Sequence, residues 1–564
     1  MYEDDFLTHL TQDHSMGDHS AAQESTALQT LTKENHALRE QYATLLHEIR
    51  MRDEEIRRLA QMSVLTVPMP VMADSYKAGH FQMYPDALVM SAYGEFRSPM
   101  EGFTDQRIVF CGLDHIIKTY LERQWTELDV ANAKEFYKTH NTGFSPYEFP
   151  EDLFLKFIRE QDGYFPVRID ALPEGSVAHI RTPVFTITAT REYSRLCTFL
   201  ETVLTMVWYP TTVATLSRHV KELIRKYFVS SVDVEWYWLL DYKLHDFGFR
   251  ACTCVEQAVI GGKAHLLNFK GSDTMPACYD AQFNHNAGHP VASSVPATEH
   301  SVMTSWPNET DAMLNMLEKY GENPIISVVM DSYDYDHALN VVLPDIARVM
   351  ETTDKYKQCQ LVLRPDSGDP VESVLKGLLA AEKCFGVTIN KKGYKVLNRS
   401  AVLQGDGITM HTIRDILTAV TSPAYQYSAQ NVVFGMGGGL LQKVNRDTMS
   451  FATKLSYIQY NQVDYKDVMK MPKTDSGKYS LPGLLAVAKE GGNLTVYPAD
   501  HVPPGAVNAM QVVYDNRPLI RIKKSWDEQR QQVEEGWHMA DPHHKPLSEV
   551  LKAKASSIIH NTTV

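Results

Sequence analysis

The chain has no apolar stretch able to cross a bilayer undisturbed. Its best segment, free of Lys and Arg from Leu196 to Ser217, carries Glu201, Pro210 and several threonines, and reads as a buried helix and a turn. Paired Cys-x-x-Cys spacing is also missing. The seven cysteines (Cys111, Cys197, Cys252, Cys254, Cys278, Cys359 and Cys384) are odd in number and scattered, which indicates neither a disulfide framework nor a zinc site and fits a reducing compartment. Positive charge is in short supply. With 69 acidic side chains against 55 basic ones the formal charge is -14, which argues against wrapping a nucleic acid; an anionic small substrate would need a local basic pocket. Residues 1–10 are acidic and lack the apolar core of a secretory signal. These absences point to a soluble, cytoplasmic protein without a membrane or nucleic-acid partner.

What is present is enough apolar material, 44% of 564 residues, to build two or three domains. Residues 1 to about 24 are polar and expected to be disordered. From Leu28 a 3,4 spacing runs through Leu31, Asn35, Leu38, Tyr42, Leu45, Ile49, Arg52, Ile56 and Leu59, a short coiled-coil pattern of about four heptads that suggests self-association through residues 28–59. Pro68 and Pro70 close that segment. A lone amphipathic helix on the body is the simpler reading of the same spacing. The body opens on Asp74, Ser75, Tyr76, Lys77 and His80, a polar cluster that suggests a contribution to a site but also suits a helix N-cap. Residues 165–187 alternate and carry turn residues, as short antiparallel strands do.

After a long helical stretch, residues 193–227, apolar runs recur at 264–269, 325–330, 360–363, 401–404 and 431–434. Four of the five lead within a few residues to an Asp, and the segments between them are long enough for helices. Strand, polar loop and helix in repetition is the rhythm of a parallel α/β sheet or barrel, in which ligands sit at the carboxyl ends of the strands. Asp273, Asp331, Asp334, Arg364, Asp366, Asp406 and the glycines after Phe434 would then share one rim.

The loop after Leu361-Val362-Leu363 has the densest chemistry. Arg364 offers a planar fork for phosphate or carboxylate, and Asp366 and Asp369 suit ribose hydroxyls or a hard metal ion. The segment from Leu244 to Arg250 sets His245, Asp246, Phe247 and Arg250 around a glycine, a group able to stack a flat ring and bind an anion. Residues 435–443, with Gly437, Gly438 and Gly439 in a row, let backbone N–H groups approach a phosphate, although they form neither a Walker loop nor a clean GxGxxG. Arg446 and Lys454 follow, and Glu299-His300 sets a carboxylate beside a histidine suited to acid/base work or phosphate acceptance.

Seven of these motifs stand in the order found in the nicotinamide phosphoribosyltransferase family: Asp74 to Lys77, Leu244 to Arg250, Asn268 to Thr274, Ser294 to His300, Arg364 to Gly368, Gln404 to Gly407 and Gly435 to Lys443. The chain resembles that family from about Val71 to beyond Trp526. The resemblance implies an incomplete (β/α) barrel of the type II phosphoribosyltransferase kind over 241–449. An additional α+β domain would come from 67–240 and 450–564, and 1–66 would be a tail with a coiled-coil helix. It further implies that nicotinamide and phosphoribosyl pyrophosphate give nicotinamide mononucleotide and pyrophosphate, with Mg2+ as cofactor, in a homodimer with shared active sites.

Carried over residue by residue, Phe247 of one subunit and Tyr76 of the other would sandwich the pyridine, with Asp74 nearby and Asp273 accepting from the amide. Arg250, Arg364, Arg446 and Lys454 would hold phosphates together with Gly405, Gly437 and Gly438. Asp366 and Asp406 would hold the ribose or metal, Asp366 being the Mg2+ candidate. His300, Asp366 and Asp334 make up the catalytic set, with His300 phosphorylated by ATP as coupling substrate. The chain departs from the pattern at Ala452 and Met330, where serines are expected. The rivals are a nicotinate phosphoribosyltransferase, which Asp273 disfavours by like charge, and a coiled-coil scaffold with an inactive body, which the intact Arg250, His300, Arg364 and Asp366 disfavour.

Overall fold

The computed structural model describes residues 30–46, 49, 67–100, 102–472, 474, 479–520 and 524–563. Two units result, residues 1–67 and 68–564. In the first, residues 30–46 are helical and exposed throughout. The expected disorder of residues 1–24 and the heptad positions Leu28, Arg52, Ile56 and Leu59 lie outside the described residues.

The second unit contains the expected parallel sheet. Six strands lie in the order Gly271–Ser272, Leu244–Asp246, Val432–Met436, Ser400–Gln404, Gln360–Arg364 and Ile325–Val329. Each neighbouring pair is parallel, with Val402 opposite Val432 and Ser400 opposite Leu361. Their runs of Val, Ile and Leu are buried because helices cover the outside, as parallel sheets require. The sheet curls far enough for one segment to touch both edges: Ser293 bridges Gly271, and Ala297 bridges Ser327. This is the incomplete barrel the sequence implied.

One sequence expectation fails here. The apolar run 264–269 is no strand; Ala264 to Leu266 end the helix Val255–Leu266, and the strand is only Gly271–Ser272. Short apolar runs fit either state, and burial of Ala264, His265 and Leu266 on this helix decides the matter.

A second, antiparallel sheet of six strands combines Val89–Glu95, Arg168–Ala171 and Pro183–Thr190 with Ala452–Gln459, Tyr465–Asp467 and Gln511–Asp515, so chain from both sides of the barrel segment builds it. Its core holds Trp125, Phe154, Phe157, Phe165 and Phe185. The barrel's own core recruits outside 241–449, from Val213, Ala214 and Val220 of the helix Trp208–Ser231 and from Val533 and Trp537 of the helix Trp526–Met539. No helix among the described residues is long and apolar enough to cross a membrane.

Candidate active site

Barrel interiors are normally filled by bulky branched side chains, but here small Ser327 and Ala401 alternate with Val362 and Val433 along the lining, and a cavity of about 600 Å³ remains. It runs from Trp236, Trp238 and Tyr242 to Phe247, Asp273 and Arg364, which stand at the carboxyl ends of the strands or just beyond them. The polar groups gathered at that end form the site.

Arg364 closes its strand, and the loop after it turns at Gly368, whose φ of +82° favours glycine. Asp369 caps the next helix, Pro370–Phe385, its Oδ1 accepting from the N–H groups of Val371 and Glu372 at 3.0 and 2.9 Å. Helix and strand thereby fix the short loop between them. Within it Arg364 Nη2 donates to Asp366 Oδ1 at 3.1 Å, and the other oxygen of Asp366 lies 3.5 Å from His300 Nε2. His300 Nδ1 lies 3.1 Å from Ser332 Oγ. Asp331 supports the loop from the neighbouring strand end: its Oδ2 accepts from the Asp366 N–H at 2.9 Å and from the Ser367 hydroxyl.

Phe247 joins the group through its ring. The Arg364 guanidinium carbon lies 5.4 Å from the ring centroid, a cation–π placement. A Cβ on Gly435 would fall 2.1 Å from Phe247 Cε2, and one on Gly405 would lie 3.3 Å from that atom and 3.5 Å from Asp366 Oδ1. The bare backbone at both positions makes room for the ring. Asp246, fully buried, holds the turn by accepting from the Gly248 N–H at 2.7 Å; burial pushes its pKa up to about 6 against that hydrogen bond.

Asp273 stands across the cavity mouth. Its Oδ1 accepts from Ser294 Oγ at 2.6 Å and lies 3.6 Å from His245 Nδ1. Burial acts to raise its pKa, but hydrogen bonds from His245 and Ser294 outweigh that and hold the carboxyl below its ordinary value. Asp273 is thus a fixed anion at neutral pH.

The other predicted residues fall into three groups. Gly437 and Gly438 open a short helix beside Phe247 and Ala251, while Arg250 and Asp406 are exposed. Asp334 is exposed and accepts from the His337 N–H at 3.0 Å as a local cap. The rest belong to the antiparallel layer and its helices. Tyr76, on the helix Ser75–Met83, is 53% exposed with its ring edge-on to His80; Asp74 accepts from Thr202 Oγ1 at 2.8 Å. Arg446 pairs with Asp447 at 3.1 Å. Lys454 lies half-buried on Ala452–Gln459, where burial, with Arg97 and Lys470 nearby, lowers its pKa against the pull of Glu201 and Glu95.

Sequence reading missed Arg97, which reaches Lys454's neighbourhood from a distant strand end and donates through Nε to the Ser450 carbonyl at 3.1 Å. It also passed over Gly435 as a packing position and Ser332, and it placed Asp331 on the rim without its part in holding the Asp366 loop. Only Asp331 carried a signal, as the first acid after an apolar run.

A hard cation fits the rim by donor chemistry. Asp331 Oδ1 is buried without a hydrogen-bond partner among the described residues, and its other oxygen holds the Asp366 backbone, so a second carboxylate is close in the chain. The tighter cluster of Glu222, Glu534 and His538 lies elsewhere, and Arg218 and Arg225 already neutralise its carboxylates.

Comparison with known proteins agrees with this geometry. Residues 242–517 match the nicotinate phosphoribosyltransferase (NAPRTase) family, and residues 69–169 match the nicotinamide phosphoribosyltransferase N-terminal domain. A nicotinamide phosphoribosyltransferase of Xanthomonas campestris pv. campestris (strain 8004) is 40% identical over 423 residues, which cover 74% of this chain and 86% of that protein. One from Acinetobacter baylyi is 31% identical over 498 residues, covering 82% and 96%. Among solved structures, human nicotinic acid phosphoribosyltransferase superposes with a TM-score of 0.56 at 16% identity, covering 86% of this chain and 99% of that one. The nicotinate-nucleotide pyrophosphorylase of Pyrococcus furiosus gives 0.55 at 15%, covering 85% and 100%, and both likenesses speak for the fold. The chain belongs to the nicotinamide phosphoribosyltransferase family of type II phosphoribosyltransferases.

Proposed function

We propose that this enzyme transfers the phosphoribosyl group of phosphoribosyl pyrophosphate to nicotinamide, giving nicotinamide mononucleotide and pyrophosphate for NAD synthesis in the cytoplasm. The observation that carries the choice of base is the ionised Asp273, which lines the same end of the cavity as Phe247. A carboxylate accepts from an amide N–H and repels the carboxylate of nicotinate.

The pyridine lies on Phe247, with its amide toward Asp273 and its ring nitrogen toward the anomeric carbon. As the bond from that carbon to the pyrophosphate oxygen breaks, the nitrogen lone pair forms the new bond, and positive charge develops on the sugar. Arg364 and Asp366, locked to each other and to Asp331, stand where the phosphoribosyl group binds. Asp366 and Asp331 would hold Mg2+, which supplies charge neutralisation to the departing pyrophosphate. Arg250, with the backbone at Gly405, Gly437 and Gly438, completes the phosphate cradle, and Asp406 accepts from ribose.

Tyr76, Asp74, Arg446 and Lys454 lie on the antiparallel layer. Tyr76 is 53% exposed, its ring touched only at the edge by His80 and by the Lys77 ammonium among the described residues, which fits a homodimer in which this edge, with Arg97, completes the partner's site. His300, within 3.5 Å of Asp366, takes the γ-phosphoryl of ATP on a ring nitrogen and releases it to water as the cycle turns. Asp334 holds the loop that carries Ser332 and so acts through positioning.

The test measures mononucleotide formation from nicotinamide and from nicotinate, with and without ATP and Mg2+. Turnover of nicotinamide well above nicotinate is expected, and equal or better use of nicotinate would overturn the assignment of base. In His300→Ala, loss of ATP stimulation with residual ATP-independent synthesis is expected; ATP stimulation that survives would remove the phosphohistidine.

A further inference from the structure

The seven motifs and both family matches leave the first 68 residues without a role, and it is there, among the described residues, that a row of large apolar side chains stands exposed. The helix over 30–46 exposes Leu31, Leu38, Tyr42 and Leu45 by 62, 64, 63 and 55%, and Ile49 continues the row at 48%. In heptad terms Leu31, Leu38 and Leu45 occupy d, and Asn35, Tyr42 and Ile49 occupy a. The opposite face is polar, with Lys33, His36 and Glu40, where His36 and Glu40 lie 3.6 Å apart. A helix so exposed gains little from its own chain, because helical segments of this length in water depend on packing of the apolar face.

We propose that this helix pairs with the same helix of a second copy of the chain, parallel and in register across residues 30–46. Two features select that occupant. The first is Asn35: in a parallel, in-register pair an a residue meets its own copy, so two Asn35 amides satisfy each other, whereas an antiparallel pair sets each amide against a d leucine, where its hydrogen bonds are lost. Leu at every described d position favours two strands over three or four. The second is charge. Glu34 at g faces Arg39 at e of the partner's next heptad, an attractive pair repeated on both sides of a two-fold seam. Nothing in the inference rests on the reaction.

Three heptads bind weakly alone; where the body is the homodimer proposed above, attachment to it raises the effective concentration of one helix around the other. Pairing then either straps the two chains of one dimer together or joins dimers, and the seam is the same in both.

The experiment uses the full chain carrying Asn35→Cys, oxidised mildly, run on a non-reducing gel and mapped by mass spectrometry. A disulfide needs Cα atoms within about 7 Å, which the a positions of a parallel pair supply and the outward f positions do not. The expected product is therefore a reducible 35–35′ cross-link, at least about tenfold more abundant than in a Lys33→Cys control. Adding Leu31→Ala, Leu38→Ala and Leu45→Ala, which keep helix propensity while emptying the seam, should bring cross-linking down to the control level. No 35–35′ product, equal cross-linking through residue 33, a link from residue 35 to the exposed Cys254, or cross-linking that survives the three alanines would each overturn the proposal.

Discussion

Phe247 and Gly435 meet so closely that a single added carbon on the glycine would fall 2.1 Å from the Phe247 ring. The strand Val432–Met436 thus fixes the Phe247 ring, on which we propose that the pyridine rests, and a backbone hydrogen bond from Phe247 N–H to the Met436 carbonyl, at 3.0 Å, fixes it a second time. Gly435→Ala forces the ring out of place. The expected outcome is a fall of about tenfold or more in kcat/KM for nicotinamide with the melting temperature little changed, since the cavity gives the ring somewhere to go. Steady-state kinetics beside a thermal melt checks it.

On the proposed function, Asp273 sets the choice of base. Asp273→Ser removes the anion while Ser294 and His245 remain, and the ratio of kcat/KM for nicotinamide over nicotinate should fall at least roughly tenfold. Because the carboxyl is held below its ordinary pKa, that ratio in the unmodified enzyme should be flat from pH 6 to 8. A preference that climbs across this range would point to another titrating group.

Arg364 bonds Asp366, faces the Phe247 ring and keeps a buried Nε without a hydrogen-bond partner among the described residues. A lysine has no fork with which to make these contacts at once. Arg364→Lys is expected to lower kcat/KM for phosphoribosyl pyrophosphate about 100-fold, or ~2.7 kcal/mol of transition-state stabilisation. Substrate-saturation curves measure it directly.

Lys243 gives a test by pH. It lies buried beside the barrel cavity, its Nζ donates to the Gln430 carbonyl at 2.6 Å, and burial pushes its pKa down to about 7. The unfolded chain, with an ordinary lysine near 10.4, binds the proton that the folded chain sheds, so this residue makes stability rise as the pH climbs from about 7 toward 10. In Lys243→Met that rise should be absent, and melting curves of both proteins from pH 6.5 to 9.5 should converge at the upper end.

Much of this was legible along the chain. Four of five apolar runs became neighbouring parallel strands, because β-branched residues buried on both faces leave a continuous apolar signature. The fifth misled, since a buried helix end such as Ala264 to Leu266 leaves the same mark. Arg97 left no mark at all: its importance depends on Lys454, more than 350 positions away, and only strand pairing of Val89–Glu95 with Ala452–Gln459 brings the two together.

By itself, then, the sequence determined the family, the barrel rhythm and the chemistry on offer: a guanidinium with carboxylates, a histidine, aromatic rings and bare glycines, in an order that identifies them. Those are properties of residue types at fixed spacing. Tertiary structure alone decided which of them work together. Parallel strands all end on one face, so Arg364 and Gly405 reach the Phe247 ring while His300 and Asp331 reach Asp366, whereas Tyr76 and Lys454, equally prominent in the sequence, are carried onto the antiparallel layer and its helices. The reason is physical: spacing governs what a helix or strand presents locally, whereas contacts across hundreds of residues are set by how the sheets close.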